Sequence, residues 1–419
     1  MTSTKRLDSQ LLFSKLRMSW KKAFKHLLPL GGFSSGNKVK IFHHGDEAFL
    51  AIYNAFCSAR HSIYVEIYML VPDRVGIWLR DAMIEAAHRG VQVKLLYDHV
   101  GSSSLTQAFL DPMLKARIRP IEFNPIWPWR RKGPLLFRNH RKIIVVDEQL
   151  AFCGSMNISC DYAGPVYGND RFRDSMAFIE GPAVKDLLAI TKESIAESTF
   201  VELDDYVSVD QKDNNFLVKL DRFIDGLFNK PKLTPVKHDT LVQVLRSNNR
   251  RNLTHIQKSM EECINRAVDY CYFTTPYFLP YESLRKAIIN AAKRGVDIRI
   301  LTAGLSDVPL MRLASRHVYP GFLKNGVRIY EMNQKTLHAK IATIDGVLSS
   351  IGSYNLDHWS ARRNLEVNLS ILDSHLAQEL KEQFNQDLRL AEEISPNIFA
   401  KMSLLKRILS WLAYELFRL

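Results

Sequence analysis

Residues His140-Arg141-Lys142-Ile143-Ile144-Val145-Val146-Asp147, followed by Gly154-Ser155-Met156-Asn157, form a pattern that the chain repeats. The second copy is His338-Ala339-Lys340-Ile341-Ala342-Thr343-Ile344-Asp345, followed by Gly352-Ser353-Tyr354-Asn355. In each copy the Lys lies two residues after the His, the Asp seven, the Gly fourteen, the Ser fifteen and the Asn seventeen. A single His-x-Lys pair often arises by chance, whereas two copies with six matched positions do not. The duplication therefore predicts an enzyme built from two related halves.

The repeat extends beyond the two motifs. Arg89-Gly90-Val91 and Arg294-Gly295-Val296 each close a predicted helix and open a strand in which basic and apolar residues alternate. Ser62–Leu70 has the two-residue alternation of a strand and precedes a helix over Arg74–Arg89. Strands separated by helices of this length predict an α/β fold with βαβ crossovers and a largely parallel, buried sheet in each half.

Changes in composition along the chain predict five segments, each with its own character. They are a basic amphipathic N-terminal segment (1–36) that ends in a flexible Gly/Ser-rich linker, a first domain (37–201), a polar connector (202–239), a second domain (240–397) and a C-terminal amphipathic helix (398–419).

Charge and cysteine content limit the function classes. The 57 Lys and Arg residues exceed the 44 Asp and Glu residues and give a formal net charge of +13, which favours nucleic acid, acidic lipid headgroups or phosphorylated substrates as partners. The five cysteines form no CxxC pair, which favours a reducing compartment. No apolar run reaches the roughly 18 residues of a membrane span, so no spanning helix is predicted.

Amphipathic patterns occur at both ends of the chain. An N-terminal stripe and a C-terminal stripe recur at helical spacing, with Lys and Arg elsewhere on each helix. The first consists of Phe13, Leu16, Trp20, Phe24 and Leu27, and the second of Leu405, Leu409, Leu412, Leu416 and Leu419. Such helices suit a membrane interface, but packing against the protein itself, or against a second copy in a homodimer, would leave the same pattern.

The two motifs have the chemistry of a phosphodiester site. Residues two apart in a strand share a face, so His140 and Lys142 point the same way, as do their equivalents in the second copy. Asp147 and Asp345 lie seven residues, an odd number, after the histidine of their motif, so they do not share its face. Both are at predicted hairpin turns. The returning segments bring back a small glycine, which would let a substrate approach the backbone, together with Ser and Asn as hydrogen-bonding groups.

Two His, two Lys and two Asn, brought together about a pseudo-two-fold axis, suit a tetrahedral phosphate diester. The lysines would neutralise its nonbridging oxygens and the Asn side chains would help to hold them. One neutral imidazole would attack phosphorus while the other, protonated, donates to the leaving oxygen. A metal site is the alternative for paired histidines, but two ammonium groups would repel a divalent ion, so we predict neither a metal nor another cofactor.

These residues resemble the phospholipase D superfamily, whose mark is a duplicated His-x-Lys-x4-Asp motif followed by Gly-Ser-x-Asn. Over about 38–395 the chain is most similar to bacterial cardiolipin synthases, of the short type without N-terminal spanning helices. The supporting stretches are Arg138–Lys142, Thr275–Pro280 and Asn355–Asp357. The resemblance implies two phospholipase D-like α/β/α sandwich domains related by pseudo-two-fold symmetry, with amphipathic helices at both termini. It also implies transfer of a phosphatidyl group between phospholipids, usually two phosphatidylglycerols, through a phosphatidyl-histidine.

The family pattern also implies roles for individual residues. An acid of one half serves the His of the other, which pairs His140 with Glu366 and His338 with Asp174, and the resemblance favours His140 as nucleophile and His338 as acid. The implied catalytic residues are His140, Lys142, His338, Lys340, Asn157, Asn355, Asp174 and Glu366. The implied structural residues of the motif are Asp147, Asp345, Gly154, Ser155, Gly352 and Ser353.

Partners and location follow from the same pattern. We expect anionic phospholipids as substrates and a peripheral position on the cytoplasmic face of the bacterial inner membrane. The stretch Ile126–Gly133, with Trp127 and Trp129 beside basic residues, and Arg138 and Arg141 flanking His140, would suit lipid headgroups. The same mixture would suit single-stranded nucleic acid, although the terminal helices favour lipid. Hydrolytic phospholipase D and a nucleic-acid phosphodiesterase are the alternatives, and two intact motifs argue against a non-catalytic scaffold.

Overall fold

The computed structural model describes residues 3–127, 129, 134–199, 240–248, 251–400 and 403–418. The predicted connector 202–239 lies outside the described residues, as do Pro128 and the basic run 130–133. The side chain of Phe13 and residue Leu419 are outside them too.

The first half is a seven-stranded sheet with helices on both faces. The strands of this half are β1 (Phe33–Phe42), β2 (Ser62–Ile67), β3 (Gln92–Asp98), β4 (Ile121–Phe123), β5 (Arg138–Asn139), β6 (Ile143–Val146), β7 (Leu150–Gly154), β8 (Phe172–Arg173) and β9 (Met176–Glu180). Strands β5 and β8 lie outside the seven-stranded sheet and pair with strands of the second half. The helices up to this point are α1 (Ser3–Leu27), α2 (Gly45–Ser58), α3 (Arg74–His88), α4 (Gln107–Lys115) and α5 (Ala183–Thr199). The sheet order is β1-β9-β7-β6-β2-β3-β4.

The second half repeats the arrangement. Its strands are β10 (Thr240–Asn248), β11 (Leu253–Thr254), β12 (Tyr270–Thr274), β13 (Asp297–Leu305), β14 (Arg328–Leu337), β15 (Ile341–Ile344), β16 (Leu348–Gly352), β17 (Asn364–Leu372) and β18 (Ala391–Glu393). Its helices are α6 (His255–Arg266), α7 (Glu282–Lys293), α8 (Pro309–Leu323), α9 (His358–Arg362), α10 (Ser374–Asp387), α11 (Asn397–Ala400) and α12 (Leu404–Arg418). The order β10-β17-β16-β15-β12-β13-β14 is that of the first sheet, with β18 added at the edge.

Each sheet is mixed, and the prediction of a largely parallel sheet is wrong. The parallel pairings in the first sheet are β2–β3 and β3–β4, and the remaining four are antiparallel. The cause is the predicted hairpin in each motif, which returns the chain directly to the same sheet. Asp147 and Glu148 have φ of 52° and 57°, and Asp345 and Gly346 have φ of 55° and 67°. Positive φ at both central residues is the conformation that two-residue hairpins favour.

The two halves pack through a shared apolar layer between their sheets. Ala151 and Ile179 of the first sheet belong to one buried cluster with Ile351 and Leu369 of the second, and α5 and α10 contribute to the same cluster. Strand β1 joins the halves as well, because its first residues pair with β10 and its last residues with β9. Strand β1 starts at Phe33, so the predicted flexible linker is in part a strand.

The apolar stripe of the N-terminal helix is not available to a membrane, so the first of the two interpretations of this helix is wrong. Leu16, Trp20, Phe24 and Leu27 are buried in the core of the second half, against α6. The indole of Trp20 donates a hydrogen bond of 2.9 Å to Asp345, which anchors the helix to the second motif. The stripe therefore covers the protein's own core.

The C-terminal helix behaves in the opposite way. Helix α12 packs on α8 and its surroundings through Ala413 and Phe417. Its large leucines at 405, 409, 412 and 416 remain exposed. Within the described part of the chain, no helix is long and apolar enough to cross a membrane.

Candidate active site

Both motifs enter the sheet beside a strand of the other half. Strand β5, just before His140, pairs with the start of β17, and the amide of His140 donates to the carbonyl of Leu365 at 3.0 Å. Strand β14, just before His338, pairs with β8, and the amide of His338 donates to the carbonyl of Arg173 at 2.9 Å. The residue after each of these carbonyl groups is an acid, Glu366 or Asp174. Each strand pairing therefore places an acid of one half beside the histidine of the other.

His140 lies against Glu366. Its Nδ1 is 3.1 Å from both carboxylate oxygens, and the carboxylate is buried. Ser353 and Ser360 also donate hydroxyl hydrogen bonds to Glu366, the latter at 2.8 Å. Burial alone would raise the pKa of Glu366, but His140, Lys142 and these donors outweigh it and lower that pKa. The acid is therefore ionised and fixed.

His338 has the equivalent arrangement with Asp174. Its Nδ1 is 2.7 Å from the carboxylate, to which Ser155 donates a hydroxyl hydrogen bond. The pKa of Asp174 is lowered because His338 and Lys340 outweigh the effect of burial. Tyr162 stands edge-on to the imidazole, with its hydroxyl 3.5 Å from Nε2.

The two lysines lie at the centre of the site. Lys142 and Lys340 are buried, and each ammonium donates to the carbonyl of its own motif histidine at 2.7 Å. Lys142 also lies 5.0 Å from the centre of the Tyr68 ring. Burial lowers the pKa of both lysines, and the charge of Lys340 further lowers that of Lys142. The motifs are therefore close enough to form one site.

Burial is also the main influence on the histidines. It lowers the pKa of His140 to about 4, with Lys142 and Lys340 acting in the same direction and Glu366 against them. Burial and Lys340 lower the pKa of His338, opposed by Asp174. With Nδ1 directed at Glu366, neutral His140 presents Nε2 as a free nucleophile.

The two asparagines differ in their surroundings. Asn157 is committed on both sides, because its amide nitrogen donates to the Tyr162 hydroxyl at 2.8 Å and its oxygen accepts from the Met69 amide at 3.2 Å. The side-chain oxygen of Asn355 is buried without a hydrogen-bond partner among the described residues. The structure thus leaves Asn355 with more hydrogen-bonding capacity for a substrate than Asn157.

The remaining motif residues hold the scaffold. Asp147 accepts three backbone hydrogen bonds of 2.7–2.9 Å from residues 60–62, and Asp345 accepts the same set from residues 268–270 at 2.9–3.0 Å. The idea that the glycines admit a substrate is wrong, because they face a neighbouring strand. A Cβ on Gly154 would lie 2.7 Å from the Ser175 carbonyl oxygen, and one on Gly352 would lie 2.2 Å from that of Val367.

Arg138 and Arg141, which flank His140 and were expected to suit lipid headgroups as part of a cationic cluster, are instead buried. Arg138 donates to the Asn124 carbonyl at 2.7 Å and pairs with Asp98 at 3.3 Å. Arg141 donates to the Ser194 hydroxyl at 3.0 Å. Both brace the segment between β5 and β6 that carries His140, so they are not part of an open cationic surface.

Aromatic residues outside the motif lie at the site, and sequence reasoning gave one of them, Tyr68, no role. Tyr68 stands edge-on to His140, with ring centres 4.9 Å apart. The exposed Trp127 and Trp129 stack at 5.6 Å in the loop after β4. Parallel strands β2, β3 and β4 end at one edge, and Tyr68 follows β2, so this loop shares the edge of the site. The sequence signal that could have identified Tyr68 was its place directly after predicted strand residues, because side chains that follow parallel strands meet at one edge of a sheet.

Among the described residues, no group of three or more His, Cys, Asp or Glu side chains could hold a metal ion. All five cysteines are free, and Cys153, Cys263 and Cys271 are buried.

Comparison with known proteins bears on this site. Residues 52–190 and 260–388 match the family described as cardiolipin synthase, PLD-like domain. Cardiolipin synthase 1 of Bacillus cereus is 32% identical over 371 residues, which are 88% of this chain and 70% of that protein. The probable cardiolipin synthase YwiE of Bacillus subtilis is 31% identical with the same coverage. The crystal structure of phosphatidylserine synthase from Haemophilus influenzae shares the fold, with a TM-score of 0.70, 17% identity and coverage of 95% of this chain and 99% of that one.

Proposed function

Because the chain belongs to the cardiolipin synthase family of phospholipase D-like enzymes, we propose that it transfers the phosphatidyl group of one phosphatidylglycerol to a hydroxyl of another. The observation that carries this proposal is the pair of histidines, each in contact with a buried acid of the opposite half, with a buried lysine two residues after each histidine. This set can neutralise a phosphodiester and exchange its alcohol.

In the first step, Nε2 of neutral His140 attacks the phosphorus of the donor lipid while Glu366 holds Nδ1–H. The bond from phosphorus to the headgroup oxygen breaks, and that oxygen takes a proton from Nε2 of His338, so that glycerol leaves. Lys142 and Lys340 neutralise the nonbridging oxygens. The product is a phosphatidyl-histidine and a neutral His338.

The second step reverses the proton transfer. A hydroxyl oxygen of a second phosphatidylglycerol attacks phosphorus, and its proton passes to Nε2 of His338. The phosphorus–nitrogen bond then breaks, which restores neutral His140 and releases cardiolipin. The same imidazole thus acts as acid and then as base.

Substrate charge reconciles the acid role of His338 with its lowered pKa. Burial and Lys340 disfavour the imidazolium of His338. A bound diester brings a negative charge, which, together with Asp174 at 2.7 Å, favours protonation. The acid is therefore charged when a substrate is present.

Exposed apolar residues on both sides of the site favour a peripheral position on an anionic membrane, with the cytoplasmic face as the side we propose. On the first half, the loop with Trp127 and Trp129 lies at the site's edge. On the second half, Phe417 of α12 packs beside Leu279 and Met311, which follow the carboxyl ends of β12 and β13. Helix α12 therefore holds its exposed leucines near the equivalent edge. Trp and Leu side chains suit the boundary between the headgroups and the acyl chains of a bilayer.

The test supplies vesicles of phosphatidylglycerol, with and without phosphatidylethanolamine, and identifies the lipid products by mass. We expect cardiolipin and free glycerol, no product with His140→Ala or His338→Ala, and no loss of rate on addition of EDTA. Phosphatidic acid as the sole product would instead assign a hydrolytic phospholipase D. Cleavage of single-stranded DNA at a comparable rate, without cardiolipin, would assign a nucleic-acid phosphodiesterase.

A further inference from the structure

Two neighbouring pairs of equivalent positions beside the site differ between the halves. Counting from Arg89-Gly90-Val91 and Arg294-Gly295-Val296, Asp307 is the equivalent of Ser102. The equivalent bridges Leu70–Ile158 and Phe278–Leu356 make Tyr277 the counterpart of Met69. A polar pair in the second half thus replaces a serine and a methionine in the first.

The two positions have different environments. Ser102 is buried and closes its own loop, because its hydroxyl donates to the Tyr68 carbonyl at 3.1 Å and accepts from the Leu70 amide at 3.0 Å. Asp307 is exposed and accepts a hydrogen bond of 2.7 Å from the Tyr277 hydroxyl through Oδ1. Within the described part of the chain, its Oδ2 has no donor.

The carboxylate of Asp307 lies close enough to the histidine and lysine of the second motif for its charge to act on them. Its negative charge acts on His338 and Lys340 of its own half and on Tyr68 and Tyr162 of the other. It follows β13, whose carboxyl end lies at the edge of the sheet that carries the site. Asp307 therefore lies on the exposed side of the active site, next to the proposed acid His338.

A carboxylate at this place repels the anionic phosphoryl group, so its partner is a neutral hydrogen-bond donor. In the proposed reaction the leaving glycerol and the attacking headgroup hydroxyl both occupy the space beside His338, because His338 protonates the first and deprotonates the second. The hydroxyls of that glycerol can donate hydrogen bonds to the carboxylate of Asp307. A carboxylate accepts such hydrogen bonds more strongly than a neutral group does.

Building on the proposed function, we propose that Asp307, positioned by Tyr277, binds the hydroxyls of the headgroup glycerol and selects polyhydroxyl alcohols as acceptors over simple alcohols and water. The first half, with Ser102 buried, has no such group at the equivalent position. The asymmetry of the pseudo-symmetric site thus distinguishes the alcohol side from the side that holds the phosphatidyl group.

The experiment is a competition between two acceptors of equal carbon number. Phosphatidylglycerol vesicles are incubated with deuterated glycerol and 1-propanol at equal concentration, and deuterated phosphatidylglycerol and phosphatidylpropanol are measured by mass. Wild-type protein should favour glycerol. Asp307→Asn should lower the product ratio roughly tenfold, as expected for loss of a hydrogen bond to a charged group.

Two further variants separate recognition from folding. Tyr277→Phe keeps the carboxylate but removes its anchor, and should lower the ratio by a smaller factor. Asp269→Asn changes an exposed Asp at the opposite edge of the same sheet and should leave the ratio unchanged. Thermal unfolding checks that each variant is folded.

The outcomes distinguish the two proposals. If wild-type protein forms only phosphatidic acid, the proposed transfer reaction is wrong. If it transfers to alcohols but an unchanged ratio is found with Asp307→Asn, or wild-type shows no preference for glycerol, the transfer reaction stands and the role of Asp307 is refuted.

Discussion

His140 of the first half and Glu366 of the second lie in contact, with Nδ1 3.1 Å from both carboxylate oxygens, although the two residues are 226 positions apart. The reciprocal contact joins His338 to Asp174 at 2.7 Å. Neither half therefore contains a complete histidine–acid pair, and the interface between the halves is part of the site. Reactivity should depend on that interface as much as on the motifs.

Glu366→Gln should reduce cardiolipin formation roughly 100-fold or more, because a neutral amide neither fixes the His140 tautomer nor stabilises its charge. Glu366→Asp, which keeps the carboxylate, should recover part of the rate. The rate of product formation on phosphatidylglycerol vesicles is the measurement. Glu382→Gln, on the exposed surface of α10, is the matched control. Equal rates for Glu366→Gln and Glu382→Gln would remove Glu366 from the mechanism.

The acidic limb of the pH–rate profile should lie near pH 4 and not near 6.5. Burial lowers the pKa of His140 to about 4, so the nucleophile is neutral at every pH above that value and loses activity only when it is protonated below it. The profile of kcat/KM reports the free enzyme and is the measurement to make. An acidic limb centred at 6.5 would show that His140 is not the desolvated nucleophile described here, whereas an alkaline limb reports deprotonation of His338.

Local geometry explains which of these features the sequence could predict. The two-residue spacing predicted that His140 and Lys142 share a face of a strand, whereas both lie in the short segment between β5 and β6. Asp147 turns the chain as predicted. Sheet order could not be predicted, since the pairing of β5 with β17 joins distant segments with no local pattern between them. The antiparallel pairings outside the two predicted hairpins, such as that of β1 with β9, were missed for the same reason.

Amphipathic spacing was informative about the existence of helices but not about what their faces contact. Helices α1 and α12 have similar stripes, yet Trp20 is buried and Leu409 is exposed. Spacing shows that a face needs apolar surroundings, whereas the tertiary fold decides whether protein supplies them. The roles expected for Arg138 and Arg141 failed similarly, because sequence does not reveal which cations are buried.

Trp20→Ala should destabilise the protein by about 4 kcal/mol, since it removes a buried aromatic side chain and one of the hydrogen-bond donors to Asp345. Trp20→Phe keeps most of the packing and should cost about 1 kcal/mol for the lost hydrogen bond. Urea unfolding measures both. Met18→Ala, at a 62% exposed position of the same helix, is the control and should change little. If Trp20→Ala weakened vesicle binding without lowering stability, α1 would belong to the membrane interface after all.

Leu409→Ser combined with Leu412→Ser should weaken binding to phosphatidylglycerol vesicles, because these side chains are exposed on α12 beside the site. Partial burial of each leucine in a bilayer contributes on the order of 1 kcal/mol, so the pair should cost roughly tenfold or more in vesicle affinity, measured by flotation. Leu114→Ser is the matched control, since Leu114 and Leu409 are both 46% exposed and Leu114 lies on α4. Unchanged flotation together with a change from dimer to monomer would show that a second copy of the chain, and not lipid, covers this face.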